Sequence, residues 1–257
     1  MTKRLLILVV ALAACSSSSS STSTGSAGGS TDLTVFAASS LTAAFTKIGT
    51  DFEAANPGTK VTFNFGSSTD LATQISSEGT ADVFASASGT AMDTVAKDPG
   101  VEDRRDFVTN QLVIITPTDD PGGVSSLEDL AKPGLQVVLA AEGVPVGDYA
   151  RQMLDEQGLT KDVMANVVSN EPDDASVVAK VHSGEADAGI VYTSDVASSD
   201  VRGVTIPDDQ NVVATYPIAV VSGATQADMA ATFVGYVTGS QGQATLQQYG
   251  FGPPLSS

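Results

Sequence analysis

The 257-residue sequence predicts an α/β fold in which mostly parallel sheet is flanked by helices. Three observations predict it. Short, nearly continuous apolar runs, suited to strands buried on both faces, recur along the chain. Most lead within a few residues into stretches with apolar residues at helical spacing. Four of these strand-to-helix turns are built from small or polar residues: Ser39-Ser40, Ser67-Ser68, Val146-Gly147 and Asp173-Asp174. The length accommodates two modest lobes or one large domain.

In chain order, 33–38 (LTVFAA) reads as the first strand and 41–55 (LTAAFTKIGTDFEAA) as its helix, stopped by Asn56-Pro57-Gly58. A second strand, 61–65 (VTFNF), leads through Gly66-Ser67-Ser68-Thr69 into the helix DLATQISSEG. A short third strand, 82–86 (DVFAS), precedes the helix GTAMDTVAKDPG. The run 111–116 (QLVIIT) is a strongly apolar strand, and a short helix starts at 126–130. Strand 135–140 (LQVVLA) passes through a 142–147 loop into DYARQMLDEQG, closed by Gly158. A strand over 163–168 and the amphipathic helix ASVVAKVHSGEA follow, then the buried strand 188–192 (AGIVY). The segment 211–221 reads as strand pairs around Tyr216-Pro217, and helices over 226–237 and 241–248 finish the chain.

Composition excludes several functions. Twelve Lys and Arg against 30 Asp and Glu, a net charge of −18, leave no basic face to neutralise phosphates, so nucleic acid is not expected as a partner. One Cys and one His rule out a disulfide framework and multi-Cys or multi-His metal sites. No Trp and 5% aromatic residues argue against a stacked-sugar site. A serine hydrolase needs a base beside its nucleophile, but the sole His, His182, sits mid-helix and no G-x-S-x-G elbow is present. Neither a G-x-x-x-x-G-K-[ST] loop nor an H-E-x-x-H pair occurs, so the chain is not expected to be an enzyme and needs no cofactor. Glu102-Asp103 and Asp119-Asp120 lack calcium-loop spacing and read as solvated loops.

The start of the chain reads as an address. Lys3 and Arg4 precede ten apolar residues, too few to span a bilayer but suited to a signal-peptide core. The run closes on Leu12-Ala13-Ala14-Cys15, which resembles the bacterial lipobox. Residues 1–14 are therefore expected to be a lipoprotein signal peptide and Cys15 the lipidated residue. The Ser-rich segment 15–30 is expected to be a flexible tether, because it has too little apolar surface to offset the entropy of ordering. The folded part then begins near Thr31 and works outside the membrane, held to it by the lipid on Cys15.

The four turns suggest a chemistry. A helix N-terminus leaves backbone N–H groups unpaired and carries the positive end of the helix dipole. Several such ends meeting at one point make an anion site without any cation, and a Ser there adds a hydroxyl donor. No Lys or Arg lies in the four turns. Neutral donors suit a fully deprotonated oxyanion, because an extra proton would face donors and find no acceptor.

On the motifs LTVFAASSLTAAF, FNFGSSTDLATQI, ADVFASAS, VPVGDYA, GEADAGIVYTSD and QQYGF, the chain resembles the periplasmic molybdate-binding proteins of the ABC importer. The likeness covers nearly all of 33–251. It implies the type II periplasmic-binding-protein fold, two α/β lobes joined by a hinge that close on the ligand. It also implies capture of molybdate, and of tungstate, for delivery to an ABC-transporter permease, with sulfate or another small oxyanion as the alternative ligand. Lobe 1 is expected at 31–110 plus 214–257 and lobe 2 at 111–213, in a monomer. By position, the resemblance places the ligand contacts on Ser40, Ser68, Val146, Asp174 and Tyr192. Molybdenum would be held only as the oxyanion, through its oxygens, so none of these five would be a ligand to the metal itself. Asp174 departs from the pattern, which has an apolar residue there. Its carboxylate is expected to point outward as a helix cap while its main chain donates, with Ala175 as the neighbouring donor.

Overall fold

The computed structural model describes residues 31–197 and 199–255. The expected signal peptide, Cys15 and the tether lie outside them.

β1 (Thr31–Ala38) runs through a 3-10 turn, Ser39–Leu41, straight into α1 (Thr42–Ala55). β2 (Thr59–Gly66) leads to α2 (Ser68–Glu78), and β3 (Val83–Ala85) to α3 (Gly89–Lys97). β1 pairs in parallel with both β2 and β3, so these three strands end at the same edge. β4 (Val101–Thr116) is a single strand of 16 residues. The second half holds β5 (Val137–Ala140), α4 (Pro145–Glu156), α5 (Thr160–Met164) and β6 (Val167–Glu171). It continues with α6 (Asp174–His182), β7 (Ala188–Tyr192), α7 (Thr193–Ala197) and β8 (Arg202–Thr205). β9 (Val213–Val221), α8 (Ala227–Thr238) and α9 (Ser240–Gln248) return to the first half.

The strands lie in the order β2-β1-β3-β9-β4-β7-β5-β6, with β8 pairing off this path with β4. β5 runs parallel to β6 and β7, while β9 and β4 form an antiparallel centre. β4 joins the halves: it pairs with β9 as far as Gln111 and with β7 from Leu112 onward. Buried faces are set by the apolar runs. Phe45 and Phe52 of α1 meet Phe233 of α8 edge to face at 6.2 and 5.1 Å between ring centroids, geometry that adds to simple burial.

The structure departs from the expected elements in instructive places. The segment 211–221 holds one strand, Val213–Val221, unbroken through Tyr216-Pro217. Pro217 is tolerated because the β4 ladder carries an irregularity opposite it, between Asp106 and Val108. Glu102-Asp103 is not a loop but the exposed start of β4, where a bulge follows and Asp103 takes φ 55°. Asp120 is a structural partner rather than a merely solvated acid: it pairs with Arg202 and accepts the Val124 N–H at 3.0 Å. The strand expected at 163–168 begins at Val167, because Thr160–Met164 forms the short helix α5. His182 is exposed, with its ring Nδ1 3.1 Å from the Asp200 carbonyl.

Candidate oxyanion site

Parallel strands converge on their carboxyl ends, where helix N-termini follow and ligands commonly bind. Here the ends of β1, β2, β5 and β7 surround one small cavity of ≈ 10 Å³, about the room one water needs. Its lining includes Ser40, Ser67, Ser68, Val146, Asp174 and Tyr192. The five residues placed there by position in the sequence thus lie together. Ser67 joins them. Ala175 does not; it is exposed and lines an adjacent groove with Ser39, Thr42 and Asp195.

Three of the helical starts that meet the cavity share a property. The turn after β1, α2 and α4 all start without a side-chain cap. For Ala38 and Val144 that is chemistry, because neither has a group that can accept. Ser67 is different. It holds the N-cap position of α2 with one of the best capping side chains, yet its hydroxyl makes no cap bond and is buried without a partner. Elsewhere the same chemistry does cap: Ser88 accepts from Ala91 N–H on α3, and Asp173 accepts from Ser176 N–H on α6, whose first residue, Asp174, also lines the cavity.

Two buried hydroxyls at this cavity lack hydrogen-bond partners: Ser67 Oγ and Tyr192 Oη. Buried polar atoms are ordinarily paired, and leaving one unpaired costs about 1–3 kcal/mol. Two around one space mark a site prepared for a ligand that brings its own partners. Burial, helped by the neighbouring Tyr216 and Asp174, holds the Tyr192 phenol well above its ordinary pKa, so it remains a donor at neutral pH. Ser68 Oγ accepts the Ala87 N–H at 2.9 Å and keeps its own proton to give. Val146 sits in the first turn of α4 behind Pro145, a residue suited to the first helical position. The α4 N-terminus is pressed against the end of β5 at Gly147. A Cβ there would lie 2.3 Å from the Ala141 carbonyl oxygen and 2.5 Å from that of Ala140.

Asp174 overturns the expectation of an outward cap. Asp173 is the cap, and Asp174 turns inward, 3% exposed, to accept a hydrogen bond from the Ser39 hydroxyl. The sequence offered two adjacent aspartates and no means to choose between them. The structure chooses by φ/ψ: Asp173 is extended and can reach back to its helix, whereas Asp174 is already helical and projects into the cleft. Its carboxyl also bonds that of Asp195, and burial pushes it up to about 6. Asp195, raised further by burial and then by Asp174, was missed by the sequence reading; its only signal was a place three residues beyond Tyr192.

No group of three or more His, Cys, Asp or Glu among the described residues is placed to hold a metal ion. No helix among them is long and apolar enough to cross a membrane. The sequence matches the family described as bacterial extracellular solute-binding protein over residues 33–252. The chain belongs to that family. A relative from Mycobacterium tuberculosis named molybdate-binding protein ModA is 42% identical over 229 residues, covering 88% of this chain and 86% of the relative. Among solved structures, the fold is that of the Azotobacter vinelandii periplasmic molybdate-binding protein, with TM-score 0.76 at 19% identity, covering 87% of this chain and 100% of the other. The sulfate-binding protein SubI of Mycobacterium tuberculosis superposes equally well, with TM-score 0.76 at 18% identity and 87% of each chain covered. Membership in this family makes the chain an extracytoplasmic solute-binding protein rather than an enzyme.

Proposed function

We propose that this protein captures molybdate in the cavity between the two sheet halves and hands it to an ABC-transporter permease. The observation that carries the reading is the pair of unpartnered hydroxyls, Ser67 Oγ and Tyr192 Oη, beside three uncapped helix N-termini with no cation among them. Uncharged donors in a dry site recognise a dianion at contact distance, where exposed acidic charge is screened. The contacts would be the hydroxyls of Ser40, Ser68 and Tyr192 and the main-chain N–H groups of Val146 and Asp174, all directed at oxygens. Fold alone does not decide the anion, because molybdate- and sulfate-binding proteins share it equally; the 42% relative favours molybdate. Tungstate, of the same shape and charge, enters with it.

A four-oxygen anion exceeds the present cavity, so the cleft must widen to admit it. Residues 31–110 with 214–255 would move as one lobe and 111–213 as the other, about β4 and β9. Lipidation at Cys15 would tether the monomeric protein to the membrane; mass spectrometry of the mature form detects it. Calorimetric titration with molybdate, tungstate, sulfate and phosphate tests the ligand, and sulfate or phosphate outranking molybdate would refute it.

A further inference from the structure

Ser40 presents a hydroxyl to the cavity, and a hydroxyl is both donor and acceptor. Something must decide which role it plays. Its Oγ lies 2.9 Å from the Tyr216 hydroxyl, a distance that allows either direction. The direction is settled one bond further back, at Asn110. The Asn110 Oδ1 accepts the Gln111 N–H at 3.0 Å, which fixes the amide with its Nδ2 on the other side. That nitrogen donates to Ser194 Oγ at 2.9 Å and to Tyr216 Oη at 3.4 Å. A phenol oxygen that receives an N–H turns its single proton elsewhere, and Ser40 Oγ is the partner at hydrogen-bond distance. The Tyr192 hydroxyl, whose ring packs edge-on at 5.7 Å between centroids, finds no partner in hydrogen-bond geometry; it lies near enough for Tyr216 to push its pKa up, but the acceptor at 2.9 Å is Ser40 Oγ. Ser40 therefore accepts from behind, and its own proton is left for the cavity.

We propose that Asn110 and Tyr216, neither of which lines the cavity, are positioning residues that lock Ser40 as a donor toward the bound oxyanion. All three are buried, Asn110 at 2% and Tyr216 at 0% exposure, so water does not scramble the relay. The relay starts where β4 exchanges β9 for β7, which ties the polarity of the Ser40 hydroxyl to the joint between the halves. The inference rests on the oxyanion reading above.

The test is titration calorimetry with sodium molybdate on the wild type, Ser40→Ala, Asn110→Asp, Tyr216→Phe and the double variants, with circular dichroism as the folding check. Asn110→Asp keeps the shape but replaces the donor with an acceptor. The Tyr216 proton then turns to the new carboxylate, Ser40 donates backward, and the site loses a donor. Affinity is expected to fall about tenfold or more, as for loss of a hydrogen bond to a charged group. It should recover in part as pH falls and the carboxyl regains a proton to donate, which a merely structural role would not produce. Because the effect passes through Ser40, Asn110→Asp should add nothing in the Ser40→Ala background. Tyr216→Phe should weaken binding a few-fold and likewise abolish the effect of Asn110→Asp. Additive losses, or an Asn110→Asp variant that binds like the wild type, overturn the inference while leaving the oxyanion reading intact. Should Asn110→Asp fail to fold, the Ser40→Ala and Tyr216→Phe pair decides by the same criterion, coupling for and additivity against. A wild type that binds no oxyanion overturns both.

Discussion

The carboxyl groups of Asp174 and Asp195, both buried, are hydrogen-bonded to each other between the cavity and the groove beside it. Two carboxylates cannot make that bond while both are ionised, so the pair holds a proton between them. The Ser39 hydroxyl donates to the same Asp174 carboxyl from the opposite half of the sheet, which makes the pair part of the contact that closes the cleft.

That pair fixes the sign of a stability profile. Burial raises Asp174 from 3.8 to about 6, so the native state holds more protons than the unfolded chain between those values. Its contribution to stability is therefore fully present below about pH 4 and lost as pH rises through about 6. Other acids act oppositely. Ser125 donors and Lys132 hold Asp129 at about 2, and although burial opposes it, Ser169 and Lys180 lower Glu171. Their stabilisation is present above the ordinary carboxylate range and lost in stronger acid. The melting temperature should accordingly be higher near pH 5 than at pH 8. Asp174→Asn should raise it at pH 8 and flatten this slope in scanning calorimetry. A wild-type melting temperature that climbs steadily from pH 5 to pH 8 would contradict the shared proton.

Tyr192→Phe separates binding from folding. Its hydroxyl is buried and unpartnered, so removing it breaks no bond in the ligand-free protein. Thermal stability should be unchanged or slightly raised, while molybdate affinity should fall about tenfold or more. Equal losses in both measurements would mean that the hydroxyl serves the fold instead.

A pair of serines extends the same logic. Ser67→Ala removes an N-cap hydroxyl that does not cap, and Ser88→Ala removes one that does. Ser88→Ala should cost about 1 kcal/mol in denaturant unfolding and leave affinity alone. Ser67→Ala should do the reverse, weakening the oxyanion complex without destabilising the free protein.

These contrasts explain what the sequence could and could not disclose. The strands and the turns after them were legible because apolar runs and small residues are local signals. The neighbourhood of Ser40, Ser68, Val146, Asp174 and Tyr192 followed from position in a resembled family. The roles of Ser67 and Asp195 were not legible, since whether a hydroxyl caps or a carboxyl meets another depends on tertiary contacts around the cavity and not on local pattern. The continuity of β9 through Pro217 was hidden for the same reason: the irregularity that accommodates it lies in β4. Periodicity likewise cannot choose between Asp173 and Asp174, which the backbone conformation tells apart.

Two helix glycines should respond with opposite signs. At Gly147 an added Cβ meets the backbone oxygens of Ala141 and Ala140 at 2.3 and 2.5 Å, and backbone cannot yield as a flexible side chain does. Gly147→Ala should push the α4 N-terminus off the end of β5, costing about 1–3 kcal/mol as overpacking does. It should also carry the Val146 N–H away from the cavity, so affinity falls even where the variant is fully folded. At Gly235, inside α8, a Cβ meets nothing within 4 Å. Gly235→Ala should stabilise by about 0.5–1 kcal/mol through helix propensity alone, with affinity unmoved. Denaturant unfolding and molybdate titration on both variants check the pair. A Gly147→Ala protein that binds as tightly as the wild type would show that the close seating of α4 on β5 does not position the site.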